Sequence, residues 1–440
     1  MPVLNTLRIF LRPLIVFLLS APVVVLLLSV QTGPSVPAGE FLNAEEMSRI
    51  EQLLLDAAPS SPGTPGLQEL QLNIDELNLL LRYGLNLMNL SPGWAARLTI
   101  EEETLNSELS LELLSGWLPL HLNISSVFAE ANQQLELSNV TVGHIQLPKG
   151  VMELALERFR NNLSQSTPVF NDINQLFANV DSVEIEGSQM NVQLQWDPTL
   201  ISRISDQTQQ LFVSGEDRER IVHYYQMINE FATTVPTDIR ALSLNALFVP
   251  LFTDARERSL NGSDPIVENR TLLQALAIYV NDDDLSQLIG SEMAATVQPA
   301  KFIEVRLQRR QDLAQHVVSI AAITASAGAE FAELLSTTKE AYDARYRSGF
   351  SFSDLTANSV GVTLASYATQ TQESALEMQR RMANLQTETD YMPEVGSNRD
   401  GISESDFSAI YSDRNSVEYR QRLAEIQALI DSRPMFQGLQ

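Results

Sequence analysis

The chain has no cysteine in 440 residues. That absence excludes disulfides, thiol nucleophiles and Cys-ligated zinc or iron–sulfur sites. It is compatible with an oxidising compartment without requiring one. Positive charge is also scarce: 29 Lys and Arg against 55 Asp and Glu leave a formal net charge of -26. A surface that acidic repels phosphate backbones, which argues against nucleic-acid binding and against docking on anionic lipid anywhere but at the N-terminus. Catalytic signatures are missing too, with no HExxH, GxSxG, Walker A or DxDxDG pattern. No internal repeat or low-complexity run is visible. The 44% hydrophobic content is ordinary, so the chain can bury the cores of roughly two or three domains.

Long apolar runs are absent but for one. From Leu14 to Val30 the sequence LIVFLLSAPVVVLLLSV carries no charge, close to the lower limit of roughly 17 residues for a spanning helix. Arg8 and Arg12 precede it and the next charge is Glu40. By the positive-inside rule, residues 1–31 read as a transmembrane anchor with its N-terminus in the cytoplasm and the rest of the chain exported. A cleaved signal peptide is the rival, with small residues at Val36-Pro37-Ala38; a buried core helix is a third reading. Residues 32–66 read as a tether, with a short helix around Ala44–Ala57 followed by the Pro/Gly/Ser-rich AAPSSPGTPG.

Residues 67–196 read as one α+β domain. A helix carries Leu77, Leu79, Leu80, Leu81, Leu85 and Met88 as an apolar stripe with Asp75 and Glu76 in its first turn. The period then changes to two. RLTIEEET, LNSELSLELL, LPLHLNISSVFAE and QQLELSNVTVGHIQL alternate apolar and polar residues, the pattern of an antiparallel meander with one dry face. An amphipathic helix from Val151 and a hairpin, VEIEGSQMNVQLQW, turning at Glu186-Gly187-Ser188-Gln189, complete it. The entry IDELNLLL and the motif VGHIQLP make this part resemble the YpmS-type anchored extracytoplasmic proteins. The resemblance implies a curved sheet with a greasy concave face, of the sort that holds an acyl chain; the alternative is that the same leucines pack against the two helices.

Residues 197–300 read as a helical middle, including RERIVHYYQMINEFA, RALSLNALFVPLF and NRTLLQALAIYV. His223-Tyr224-Tyr225 stands out there, although half-buried helical tyrosines give the same pattern. A short strand, FIEVRLQ, opens a helical region, 301–384. Residues 385–440 read as an acidic loop and a closing helix with Leu423, Ile426 and Ile430 on one face.

Ionisable residues recur most regularly between Arg309 and Gly361. Asp312 and His316 share a helical face, as do Glu340 and Asp343. Asp354 follows a Ser-Gly-Phe-Ser-Phe-Ser turn and Asn358 lies one helical turn on. A His with two or three carboxylates suits a general acid–base pair or a divalent cation. It also suits an interhelical network with Asp354 capping its helix and Lys339 paired to Asp343. In the catalytic reading His316 is the base, Glu340 or Asp343 its partner, and Asp354 a further member. The spacing of Asp312, His316, Lys339-Glu340, Asp343, Ser348-Gly349-Phe350-Ser351, Asp354-Leu355 and Gly361 resembles VanZ-like proteins, linked to glycopeptide resistance. It is similar also to YfiM-type envelope lipoproteins of unknown function.

These readings combine into an α+β protein of the bacterial inner membrane, single-pass, with its body in the periplasm and a mainly helical C-terminal region. The expected function is binding of a lipid-linked or cell-wall component or a partner protein. The alternative is an envelope hydrolase or transferase using the His/carboxylate set. No cofactor or metal is expected.

Overall fold

A computed structural model describes residues 28–37, 44–57, 64–87, 93–101, 103–116, 119–131, 134–152, 154, 157–158, 178–197, 215–329, 332, 336, 339, 343, 348–414 and 416–439. The fold is mixed α+β, about half helical, with two antiparallel sheets and one two-stranded parallel sheet among the described residues. The chain divides into two compact units, Met1–Ile50 with Ser61–Ile201, and Glu51–Ser60 with Ser202–Gln440. From Ser202 onward, the stretches read as a helical middle and as C-terminal parts fall in the second unit. No helix among the described residues is long and apolar enough to cross a membrane. The apolar run expected to do so lies outside the described residues as far as Leu27.

In the first unit, β1 (Val30–Gln31) precedes α1 (Ala44–Ala57), β2 (Gly66–Asn73) and α2 (Ile74–Leu87). The expected helix begins where Asn73 and Glu76 cap each other: Glu76 N–H donates to Asn73 Oδ1 and Asn73 N–H to Glu76 Oε2, both at 2.9 Å. Arg49 and Arg82 pair with Glu76 and Glu46. The meander follows as β3 (Trp94–Glu101), β4 (Thr104–Leu114), β5 (Leu120–Ala131), β6 (Gln134–Val142) and β7 (Ile145–Gln146), each paired antiparallel with the next. The edge of β3 is closed by Asn78 of α2, whose amide accepts from Leu98 N–H at 2.7 Å and donates to Leu98 O at 2.8 Å. The expected hairpin forms β8 (Val180–Glu186) and β9 (Gln189–Trp196) around Gly187, and β9 also pairs with β2.

The end of the apolar run and the start of the expected tether are built into this sheet. β1 pairs antiparallel with β5, Val30 opposite Leu122 and Gln31 opposite His121. Beyond it, Ser35 N–H donates to Asn123 Oδ1 at 3.1 Å and Val36 N–H to Ser110 Oγ at 3.0 Å. Ser110, Asn123 and Val36 are buried. The physical reason is that a short polar segment, unable to pack by itself, satisfies its backbone donors on two polar side chains of the sheet.

The second unit carries α3 (Gly215–Thr234), β10 (Ala241–Ser243), α4 (Asn245–Leu260), α5 (Pro265–Asn281), α6 (Ser286–Ile289), α7 (Ser291–Ala294), β11 (Glu304–Arg306), α8 (Gln311–Ala327), α9 (Phe352–Thr369), α10 (Gln372–Met382), α11 (Glu404–Tyr411) and α12 (Val417–Asp431). Asp264 caps α5 and Pro265 starts it, as a residue with no N–H to satisfy does well. This helix is the centre: Leu272, Leu273, Ala275 and Leu276 are wholly buried. α8 and α9 pack at backbone distance, because a Cβ on Gly361 would lie 2.5 Å from Val317 O. The segment expected as an acidic loop instead supplies core: Tyr391, Met392, Val395, Ile402 and Phe407 are buried, and 404–411 is helical.

Candidate functional site

Four of the expected residues come together at the N-terminal ends of α8 and α9, around a residue not expected. Arg310, just before α8, pairs with Asp312 at 2.5 Å, with Asp354 at 3.2 Å and with Asp400 at 3.2 Å. His316, one turn beyond Asp312, donates from Nδ1 to Asn358 Oδ1 at 2.9 Å, and its Nε2 lies 3.4 Å from Asp354 Oδ2. The Asn358 amide is oriented by its donation to the buried Ser336 Oγ at 2.7 Å. Asp354 does not cap α9; Ser351 does, its Oγ accepting from Asp354 N–H at 3.1 Å. That corrects the expected capping role, and the reason is reach: a residue inside the first turn points its carboxylate outward, towards Arg310.

Asp400 enters through a backbone lock. Phe350 and Ile402 exchange hydrogen bonds at 2.7 and 3.0 Å, made possible by Gly349, where a side chain would strike the Gly401 backbone at 2.5 Å. Asp400 Oδ1 then accepts from Ser351 Oγ at 3.0 Å and Ser353 N–H at 2.9 Å. Burial on its own would raise the pKa of Asp312 and Asp400. For Asp312 the Arg310 hydrogen bond and charge outweigh it; for Asp400 the Ser353, Ser351 and Arg310 bonds do, and both carboxyls lie below the usual range. The Asp312 bond, and the charges around it, raise Arg310 further.

Asp343 is not part of this set. It pairs with Lys339 at 2.9 Å, as the four-residue spacing allows, and no hydrogen bond or ion pair joins it to His316 among the described residues. Glu340 lies outside the described residues. No group of three or more His, Asp or Glu suited to a metal ion is present among the described residues. Nor does any described hydroxyl bond to His316, and the face of its ring left for a substrate proton is turned to Asp354. Chemically, the set is a guanidinium holding three carboxylates.

A second buried ionic set, not expected as such, ties α3, α4 and α5 together. Glu268, fully buried, accepts from Tyr224 Oη at 2.5 Å and from Arg258 at 2.9 and 3.1 Å, with Arg220 3.5 Å away. Burial would raise Glu268, but Arg258 and Tyr224 hold it below its ordinary value; burial and that same bond push Tyr224 up. Next to Tyr224, His223 meets Asp254 at 2.7 Å. The conspicuous His-Tyr-Tyr sequence is thus a helix seam.

The turn leading into Arg310 borders a cleft of about 820 Å³. Leu307 and Arg310 exchange backbone hydrogen bonds at 2.9 and 3.0 Å, and between them Gln308 and Arg309 hold φ of 50° and 65°. Two consecutive left-handed residues with side chains cost about 1–3 kcal/mol each. The turn is held by Glu388, which accepts from Gln308 N–H at 2.7 Å, and by Gln308 Nε2 donating to Pro393 O at 2.7 Å. Arg310 is thereby spent on the carboxylates while Arg309 faces the cleft. Sequence reasoning had no signal for this, since Gln-Arg is far from the Asn-Gly preference of such turns.

In the first unit, one face of the meander is apolar across its width. Leu98 and Ile100 on β3 stand beside Leu105 and Leu109 on β4; Leu122, Ile124 and Phe128 on β5 and Leu137, Val140 and Val142 on β6 continue the face, as the pairing registers dictate. Of these only Leu105 is buried; the others are half-buried. The opposite face holds the buried Ser110 and Asn123, covered by residues 35 and 36. The polar face is covered at Ser110 and Asn123, and the apolar face is only partly buried.

Among known proteins, no family model, curated protein or solved structure matches this chain. The resemblances to YpmS-type, VanZ-like and YfiM-type proteins rest on their motifs.

Proposed function

We propose that this is an anchored protein of the bacterial envelope whose first unit binds the acyl chain of a lipid or lipid-linked cell-wall component. The anchor in this reading is the part of the uncharged run that begins at Leu14 and ends before β1, with the body in the periplasm. The observation that carries the reading is the half-open apolar face of the β3–β6 sheet. A soluble protein gains about 25 cal/mol for each Å² of apolar surface it buries, so a row of Leu, Ile, Val and Phe that is only partly buried keeps some binding energy in reserve. An acyl chain lying along these strands would bury it. Continuity supports lipid over other apolar partners: the same sheet takes up, through β1, the end of the membrane-seeking run.

The alternative of a hydrolase or transferase built on His316, Asp354, Glu340 and Asp343 has less support, because His316, Asp312 and Asp354 are already bonded to protein groups. We assign them a structural role in holding the Arg310 turn. The lipid reading is tested by titrating the full chain with a fluorescent fatty acid. The wild type binds it saturably, and Ile124→Asp with Phe128→Asp loses that binding. Equal binding by the double variant overturns the reading.

A further inference from the structure

We propose that the cleft beside the Gln308–Arg309 turn is a second binding site, for a neutral, hydroxyl-rich ligand of the glycan class. Its size falls in the range of about 300–1,000 Å³ common to small-molecule sites, but its chemistry is not the common apolar one. The described lining side chains carry no hydrocarbon beyond threonine methyls and the aliphatic stems of polar groups, so an apolar ligand has nothing to bury against. Two carboxylates, Glu388 and Glu394, stand against one guanidinium, Arg309. That balance of charge repels phosphate and other polyanions.

What remains is a ligand offering both donors and acceptors at short intervals, as sugar hydroxyls do. The cleft supplies both kinds. Arg309 makes no ion pair among the described residues and offers donors. Asn245, at the first position of α4, lines the cleft beside it and contributes an amide side chain. Gln386, Thr387 and Thr389 also line the cleft, Gln386 donating to Asn384 O and Thr387 to Asp390, which leaves their oxygens as acceptors. The walls are fixed before any ligand arrives: Glu388 bridges Gln308 N–H and Ser243 Oγ, at 2.7 and 2.6 Å, and the Arg310 network anchors the turn from the other side. The strain at Gln308 and Arg309 thus has a use, which is to aim Arg309 into the cleft. With no aromatic platform the affinity is expected to be modest, a Kd of about 0.1–1 mM.

The site stands independently of the acyl-binding face, and so does its test. The full chain, purified in a detergent without a sugar headgroup, is titrated by calorimetry with chitotetraose, maltotetraose, their monosaccharides and inorganic phosphate. At least one sugar is expected to bind, and Arg309→Ala and Asn245→Ala each to weaken it by about tenfold. Tighter binding of a tetrasaccharide than of its monomer assigns a glycan chain, and equal binding a free sugar. Arg309 is exposed, so its variant is expected to keep the wild-type melting temperature. Silence with every sugar, unchanged affinity in both variants, or binding of phosphate in place of sugar overturns the proposal.

Discussion

Replacing Arg310 by Met separates a structural network from a catalytic one. The side chain keeps most of its hydrocarbon and loses the charge that faces Asp312, Asp354 and Asp400. The Asp312 and Asp400 pairs are about a third to a half exposed, at 37% and 47% for Arg310 and Asp312 and 34% for Asp400, so each contributes only about 0.5 kcal/mol. Asp354 is 18% exposed, and its pair contributes about 1 kcal/mol. The variant should therefore be about 2 kcal/mol less stable at pH 7, a fall of about 0.8 M in the urea midpoint of its unit for a slope near 2.5 kcal/mol/M. The pH dependence has a definite sign. Asp312 and Asp400 have folded pKa values below their unfolded ones, so their contribution is complete above about pH 4 and is lost as pH falls through the folded values. The gap between wild type and variant should therefore narrow as the pH falls below about 4. Equal midpoints at pH 7, or a gap independent of pH, would refute the reasoning.

Other substitutions probe the frame around the two sites. Gly361→Ala should cost about 1–3 kcal/mol, since its methyl meets the Val317 carbonyl; an unchanged melting temperature would show that α8 and α9 are not packed at backbone distance. Glu268→Leu strands the Tyr224 hydroxyl in the core and removes the partner of Arg258, itself 33% exposed, a loss of about 1–3 kcal/mol by denaturation, and a stable variant would contradict the seam. Ser351→Ala removes the α9 cap and one bond to Asp400, and should cost about 1 kcal/mol. His316→Ala should leave ligand binding by the first unit intact while lowering stability by about 1–2 kcal/mol; loss of function in a normally stable variant would reopen the catalytic reading.

The meander was legible because Leu105, Leu109 and Leu111 stand an even number of residues apart and so share one face, and register follows from which face must be dry. β2 was not, because Leu67 points outward and Gln68 inward, which breaks the apolar alternation that marks a strand. In the second unit the helix at Asp312–His316 and the turn before Asp354 could be read from spacing, and so could the Lys339–Asp343 pair. Arg310 as their common partner could not, since a residue before a helix has no periodic position. Asp400 lies in a segment of acidic, Pro- and Gly-containing sequence that resembles a loop; its Tyr391, Val395 and Phe407 are buried singly, by tertiary packing that leaves no period. The cleft was invisible for a related reason. Its turn adopts a conformation that its own residues disfavour, and only the surrounding bonds to Glu388 and Pro393 hold it there.

The measurement that bears most directly on the central claim is native mass spectrometry of the full chain purified from a bacterial envelope, with lipid extraction from the same sample. A lipid or lipid-linked molecule bound at one per chain, and absent from the Ile124→Asp, Phe128→Asp variant, is the predicted result. A wild-type protein that carries no lipid, or a variant that carries as much, would contradict it.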